Sequence, residues 1–171
     1  MYKPFDLSGK VALVTGGNGG IGLGMAEAMA QAGADICIWG TNPSKNALAL
    51  DTLVRHGTKV EATVCDVSDS AAVDRAMAET IASFGRIDGC FVNAGVRGIH
   101  VRSVTDIDDD EWRRVLAVNL DGAFYTLRAA SRHMIERAKA GDPGGRLVGT
   151  ASLAALSGAA RFEHYGATKG G

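Results

Sequence analysis

A chain of 171 residues, 46% of them hydrophobic, is long enough to bury one sizeable core and too apolar to remain disordered. Its formal net charge of −1 excludes a surface built around a nucleic-acid backbone, and no apolar run approaches the roughly 18 residues of a membrane-spanning helix. The first ten residues hold no apolar stretch for a signal peptide, and Cys37, Cys65 and Cys90 are odd in number, widely spaced and without a C-x-x-C pair. Reduced, buried thiols are therefore expected rather than a disulfide, zinc or redox site, with the cytoplasm as the default compartment.

In chain order, short apolar runs at Val11–Thr15, 36–39, 59–64, 87–92 and 146–151 read as strands. Between them, amphipathic segments at 21–31, 43–56, Ser70–Phe84 and 108 to about 138 read as helices. Asp69 and Ser70 can cap the third of these, and Asp108, Asp109, Asp110 and Glu111 put negative charge where the last helix dipole favours it. Residues 138–145, A-K-A-G-D-P-G-G, form the clearest loop; no repeat, low-complexity tract or domain boundary interrupts the chain. Strands alternating with helices predict one α/β domain: a doubly wound parallel sheet with helices on both faces, because parallel strands need crossovers.

After the first strand the chain reads Thr15-Gly16-Gly17-Asn18-Gly19-Gly20-Ile21-Gly22 and enters a helix. A strand, a tight glycine turn and a helix N-terminus make a place where a pyrophosphate meets free backbone N–H groups and a favourable dipole. Both G-x-G-x-x-G (Gly17, Gly19, Gly22) and T-G-x-x-x-G-I-G (Thr15, Gly16, Gly20, Ile21, Gly22) fit the string. With the second pattern the chain resembles the short-chain dehydrogenase/reductase family, and further segments follow in that family's order: Cys65-Asp66-Val67, Asn93-Ala94-Gly95, Asn119 in Val118-Asn119-Leu120, Ser152, and Tyr165-Gly166-Ala167-Thr168-Lys169. Each is common alone; their joint order and spacing are specific. The resemblance runs from about Leu7 to the last residue.

Tyr165 and Lys169, four apart, share one face of a helix. An ammonium beside a phenol stabilises the phenolate, so the oxygen can exchange a proton with an alcohol near neutral pH. The resemblance implies this general acid/base role for Tyr165, a nicotinamide-ribose contact for Lys169, a substrate-oxygen contact for Ser152, thirteen residues before Tyr165, and for Asn119 a water that links Lys169 to solvent. It places the adenine near Asp66 and Val67, and lines the cofactor cleft with Thr15, Gly16, Asn18, Gly20, Ile21, Gly22, Asn93, Ala94 and Gly95. Taken singly, the tyrosine–lysine pair is a surface ring packed by a lysine stem, the serine a cap, the asparagine a solvated helix residue and Asp66 a turn residue. His164, beside Tyr165 but pointing elsewhere, reads as a surface or substrate-pocket residue. His56, His100 and His133 are scattered without metal-ligand spacing, and the acids from Asp106 to Glu111 read as a helix start, not a metal site.

The second strand ends at Gly40-Thr41-Asn42, so Gly40 stands where the family's ribose-reading aspartate would. Without that carboxylate, Thr41, Asn42, Ser44 and Lys45 are free to donate to a 2′-phosphate, which favours NADP, with NAD as the alternative. The implied activity is interconversion of a secondary alcohol and a ketone. A non-catalytic dinucleotide-binding regulator and a structural subunit are the rival readings, and Tyr165, which a sensor does not need, speaks against them. The resemblance also implies a homo-oligomer, dimer or tetramer, and further strands beyond Lys169. A helix of barely more than one turn around Tyr165 and an apolar edge strand at 146–151 support reading the chain as incomplete at its C-terminus.

Overall fold

A run that is apolar at every position makes a strand buried from above and below, and two such runs lie side by side at the centre of the protein. The structure, a computed structural model, describes residues 5–171; the expectation for the first ten residues falls in part on residues 1–4, outside them. The strands are β1 (Val11–Thr15), β2 (Asp35–Gly40), β3 (Val60–Val64), β4 (Gly89–Val92) and β5 (Arg146–Gly149). They form one all-parallel sheet in the order β3-β2-β1-β4-β5. The chain builds outward from β1 in one direction, then crosses back to lay β4 on its other side. The doubly wound class expected from the alternation is the class observed, and the reversal leaves a crevice between β1 and β4 at the carboxyl ends of the strands.

The helices are α1 (Gly20–Gln31), α2 (Pro43–Leu53), α3 (Ser70–Phe84), α4 (Asp109–Leu116), α5 (Gly122–Lys139), α6 (Ala154–Ser157) and α7 (Glu163–Gly170). On one face of the sheet Ile36 and Ile38 pack with Ala26, Ala30, Ala49 and Leu53 of α1 and α2. On the other, Cys37 and Trp39 pack with Val73, Met77, Ala129 and Ala130 of α3 and α5. Each buried aliphatic side chain contributes about 1.5–3 kcal/mol. Trp39 keeps its indole N–H satisfied by donating to Thr80 Oγ1 at 3.1 Å. Gly22, Ala26 and Ala30 give α1 a buried stripe of small residues at four-residue spacing, which lets it lie close to the sheet. All three cysteines are free and buried.

The clearest departures from the sequence reading lie in the second half of the chain. The helix expected from 108 to 138 is broken by a π turn, Ala117–Asp121, that joins α4 to α5. The last strand stops at Gly149 instead of 151, and a short α6 follows it. β5 is an edge whose four residues are all exposed, with Leu147 43% and Val148 39% accessible. Among the described residues no helix is long and apolar enough to cross a membrane.

Candidate active site

The crevice begins with Thr15, the last residue of β1. Its hydroxyl is fully buried and accepts from the backbone N–H groups of Asn93 and Ala94, each at 3.0 Å. Asn93 in turn donates from Nδ2 to Thr15 O at 3.2 Å and accepts from Thr150 Oγ1 at 3.3 Å. The ends of β1, β4 and β5 are thereby braced by two side chains, and Thr15 lies beneath the glycine turn instead of on its surface.

Above this brace Gly16 takes a left-handed φ of 63°, and a Cβ there would sit 3.0 Å from Ala94 Cα. A Cβ on Gly22 would run into Gly16 O and Asn93 Nδ2, so only glycine lets the first turn of α1 seat against the strand ends. Asn42 caps α2 by accepting from Lys45 N, Asp69 caps α3 through Ala71 N, and Asp108 caps α4 through Glu111 N. At α1, Gly19 provides no side-chain cap, so the first-turn N–H groups face the crevice as ready-made anion donors. A cleft of about 600 Å³ lies here, lined by Gly16, Asn18, Gly20, Lys45, Asn93 and Ala94 among others. Ile21, 67% exposed, points outward at the start of the helix.

A second hollow of about 260 Å³ lies against the ends of β2 and β3, lined by Gly40, Thr41, Asp66, Val67 and Gly95. Asp66 accepts from Ser68 N and Ser68 Oγ, which fixes its carboxylate in a turn, while Val67 is buried. Gly40 has no free space over its missing side chain. Asn18 Nδ2 donates to Asn46 Oδ1 at 2.7 Å, and Asn46 Nδ2 donates to Gly40 O at 3.1 Å, so a Cβ on Gly40 would strike both amides. Asn46, only 4% exposed, was not anticipated from the sequence, where it is one more polar residue on a helix. Asn42 was expected to offer donors to a phosphate; its carbonyl oxygen is engaged at the cap.

Beside the end of β5, Tyr165 and Lys169 share one side of α7, with Nζ 6.0 Å from the ring centroid. Lys169 Nζ donates to Thr150 O at 2.8 Å, which ties the helix to the end of β5. Asn119 sits in the π turn, 4% exposed. Its Oδ1 accepts from Val96 N at 2.7 Å, and its Nδ2 donates to Val96 O at 2.8 Å and to Thr168 Oγ1 at 3.0 Å. The side chain therefore joins the segment after Asn93-Ala94-Gly95 to α7. Gly95 lies between the two, since a Cβ there would be 3.2 Å from Asn119 Oδ1 and 3.7 Å from Lys169 Nζ. Ser152, half-buried, accepts from Ala154 N at 3.2 Å at the start of α6, which packs on α7.

His164 overturns its expectation as a surface or pocket residue: it is 0% exposed, with Nε2 3.4 Å from Glu111 Oε1. Glu111 is 9% exposed and is held down to about 2, chiefly by Arg114, which donates to it from Nε and Nη2, and next by the Ile99 N–H, against the opposing effect of burial. The acids at 108–111 do start a helix, and one of them also turns inward. The other histidines serve the scaffold: His56 lies 3.3 Å from Glu27, His133 accepts from Ile87 N, and His100 meets the Phe162 ring at a tilt of 52°.

The sequence profile of the short chain dehydrogenase family matches residues 10–171. Short-chain dehydrogenase/reductase ABA4 of Pyricularia oryzae is 38% identical over 174 aligned positions, covering 100% of this chain and 62% of that protein. Sorbose reductase sou1 of Schizosaccharomyces pombe is 35% identical over 90% of this chain and 58% of its own length. Among solved structures, NAD+-bound xylitol dehydrogenase superposes with a TM-score of 0.90 at 37% identity, over 96% of this chain and 61% of that one. The chain thus spans about three fifths of the length of the relatives it matches.

Proposed function

The chain belongs to the short-chain dehydrogenase/reductase family, and from that premise we propose that the protein interconverts a secondary alcohol and a ketone with a nicotinamide dinucleotide. The observation that carries this reading is that the carboxyl edge of one sheet bears two chemically distinct groups of residues. One is the uncapped first turn of α1, seated through Gly22 against the strand ends; the other is Tyr165, Lys169 and Thr150. The glycine cradle fits a pyrophosphate, because backbone donors and a helix dipole converge where no side chain can intrude.

When bound, the nicotinamide supplies or accepts the hydride. The protein's part is binding, orientation and the proton. Gly16, Gly20 and Gly22 would hold the phosphates, Asp66 and Val67 would meet the adenine, and Asn93, Ala94 and Gly95 would line the cleft. Tyr165 donates a proton to the ketone oxygen, or takes one from the alcohol, while Ser152 holds that oxygen. Lys169, its ammonium anchored on Thr150 O, would contact the nicotinamide ribose. Asn119 keeps α7 in place through Thr168. Retention of Tyr165 beside Lys169 supports an enzyme over a dinucleotide-sensing or structural role.

NADP is the proposed preference. The support is the lack of a carboxylate at Gly40 and the presence of Lys45 and Asn18 on the lining of the cleft. The small-molecule partner is an alcohol or ketone, and the assembly is a homo-oligomer built on α4, α5 and α7, supported by exposed Trp112 and Phe124 on those helices. In the test, the full-length protein is followed at the nicotinamide absorbance across a panel of ketones, beside Tyr165→Phe. The variant keeps cofactor affinity and loses about 10²–10⁴-fold in turnover. Near-normal turnover in Tyr165→Phe overturns the assignment.

A further inference from the structure

We infer that Glu111 and His164 form a positioning pair that sets the pitch of the Tyr165 helix relative to the cofactor crevice; this rests on the reading of Tyr165 as the proton carrier. His164 is the second residue of α7 and immediately precedes Tyr165, and it is 0% exposed. Neither ring nitrogen has a hydrogen-bond partner. A buried imidazole with both nitrogens unpaired is a costly way to fill space. Phenylalanine or leucine would fill it without that cost. What the histidine adds is Nε2 at 3.4 Å from Glu111 Oε1, a contact that a small rotation of the ring turns into a hydrogen bond.

Glu111 is fixed before His164 reaches it. Oε2 accepts from Arg114 Nε at 2.7 Å, and Oε1 accepts from Arg114 Nη2 at 2.9 Å and from Ile99 N at 2.7 Å. The carboxylate is therefore a stationary charge in the first turn of α4. The loop that follows Asn93-Ala94-Gly95 is shaped over the pair: Gly98 adopts φ 81°, and a Cβ there would collide with His164 Nε2 and lie 3.0 Å from Glu111 Oε1. Three elements meet at this carboxylate: α4, the loop that lines the crevice, and the start of α7.

A second latch holds the other end of α7. Thr168 accepts from Asn119 Nδ2 at 3.0 Å, and Lys169 donates to Thr150 O at 2.8 Å. Tyr165 lies between the latches. With His164–Glu111 released, α7 can pivot about Thr168 and Lys169. Such a pivot moves the Tyr165 oxygen and leaves the lysine and the glycine cradle where they are. The consequence is a defect in the chemical step without a defect in cofactor binding.

The experiment uses the full-length enzyme with the ketone identified in the panel above, and the variants His164→Phe, His164→Gln, Glu111→Gln and Tyr165→Phe. Thermal midpoints, NADH and NADPH affinities from nucleotide fluorescence, kcat and KM are measured for each. His164→Phe is expected to retain its thermal midpoint and both cofactor affinities while kcat falls between about 10- and 100-fold, the range that a small misplacement of a reacting group produces. His164→Gln, which restores a donor, recovers most of that loss. Glu111→Gln loses kcat to a similar degree, and combining it with His164→Phe adds little, as expected for two halves of one contact. Unchanged kcat in His164→Phe, with Tyr165→Phe inactive, overturns the pair and leaves the function standing. An active Tyr165→Phe overturns the function itself. Parallel losses of thermal midpoint, cofactor affinity and kcat in both His164→Gln and Glu111→Gln also overturn the pair, since they report general loosening.

Discussion

Under the proposed NADP preference Gly40 is the residue that would govern cofactor choice, and its surroundings change what a substitution there does. A carboxylate facing a 2′-phosphate in a partly buried site costs on the order of a few kcal/mol, which argues that Gly40→Asp turns the preference toward NAD. The Asn18–Asn46 bridge, however, occupies the space that a Cβ at Gly40 needs. Gly40→Asp alone is therefore expected to displace Asn18 and Asn46 and weaken binding of both dinucleotides, whereas adding Asn18→Gly removes the nearer obstacle, frees the Asn46 amide to turn aside, and reveals the shift toward NAD. Dissociation constants for NAD and NADP in the parent and both variants check this; undiminished NAD binding in Gly40→Asp alone would show that the bridge yields freely. Glu111 gives a second test at this scale. Its acidity is raised in the folded state, so its contribution to stability is complete above the ordinary carboxylate range, near 4.5, and is lost as pH falls toward about 2. Urea unfolding should show Glu111→Gln less stable than the parent at pH 6, with the gap closing steadily on acidification. The placement of Tyr165, Lys169 and Gly22 was legible because fixed spacing marks them. Asn46, Gly98 and Glu111 were not, because the partners that matter lie as far as 66 residues away and no local pattern announces such a contact.

Strands and helices were legible from period alone where an element is buried on a constant face, as β1, β2 and α3 are. Their ends were less so, since an end is decided by contacts from elsewhere. The fourth apolar run was expected from residue 87, yet β4 begins at Gly89 because α5 takes hold of the peptide groups of Ile87. Ile87 N donates to His133 Nε2 at 3.1 Å, and Arg137 Nη1 donates to Ile87 O at 2.8 Å. His133 must therefore be neutral at Nε2, and burial first, then the charge of Arg137, pushes its titration below the usual range. A histidine shifted in this direction contributes stability that is complete above its unfolded value, about 6.5, and lost as pH falls through the lower folded value. His133→Leu leaves the Ile87 N–H without an acceptor and should cost about 1–3 kcal/mol at pH 8. It should also flatten the decline in stability below pH 6.5; an unchanged urea midpoint at pH 8 would count against the clamp. The caps divide in the same way. Asp69 and Asp108 stand out as acids before an apolar periodic run, whereas Asn42 beside Pro43 reads as a donor to a phosphate and proves to be a cap.

For the molecule as a whole, the sheet is well covered along β1 and β2 and poorly along β5. Leu147 and Val148 are exposed on that edge, and a hollow of about 410 Å³, lined by Leu120, Phe124 and Leu127 among others, opens between α5 and β5. An uncovered edge with apolar side chains is a template for pairing with another chain, and a net charge of −1 supplies little repulsion to prevent it. The 171-residue chain on its own is expected to self-associate with rising concentration on size exclusion, and Leu147→Lys to shift it toward monomer; a monodisperse monomer at all concentrations would show that the edge is benign. The π turn Ala117–Asp121 bears on a different kind of change, one of length instead of side chain. A π turn carries one residue more than an α turn, and each residue in a helix advances the direction of its side chains by about 100°. Losing a single codon at Val118 would close the bulge and re-phase α4 against α5. Glu111 and Arg114 would swing away from His164 in the same stroke that takes Asn119 from Thr168, so one deletion there should do what no single substitution in the chain can: release both ends of the tyrosine helix together.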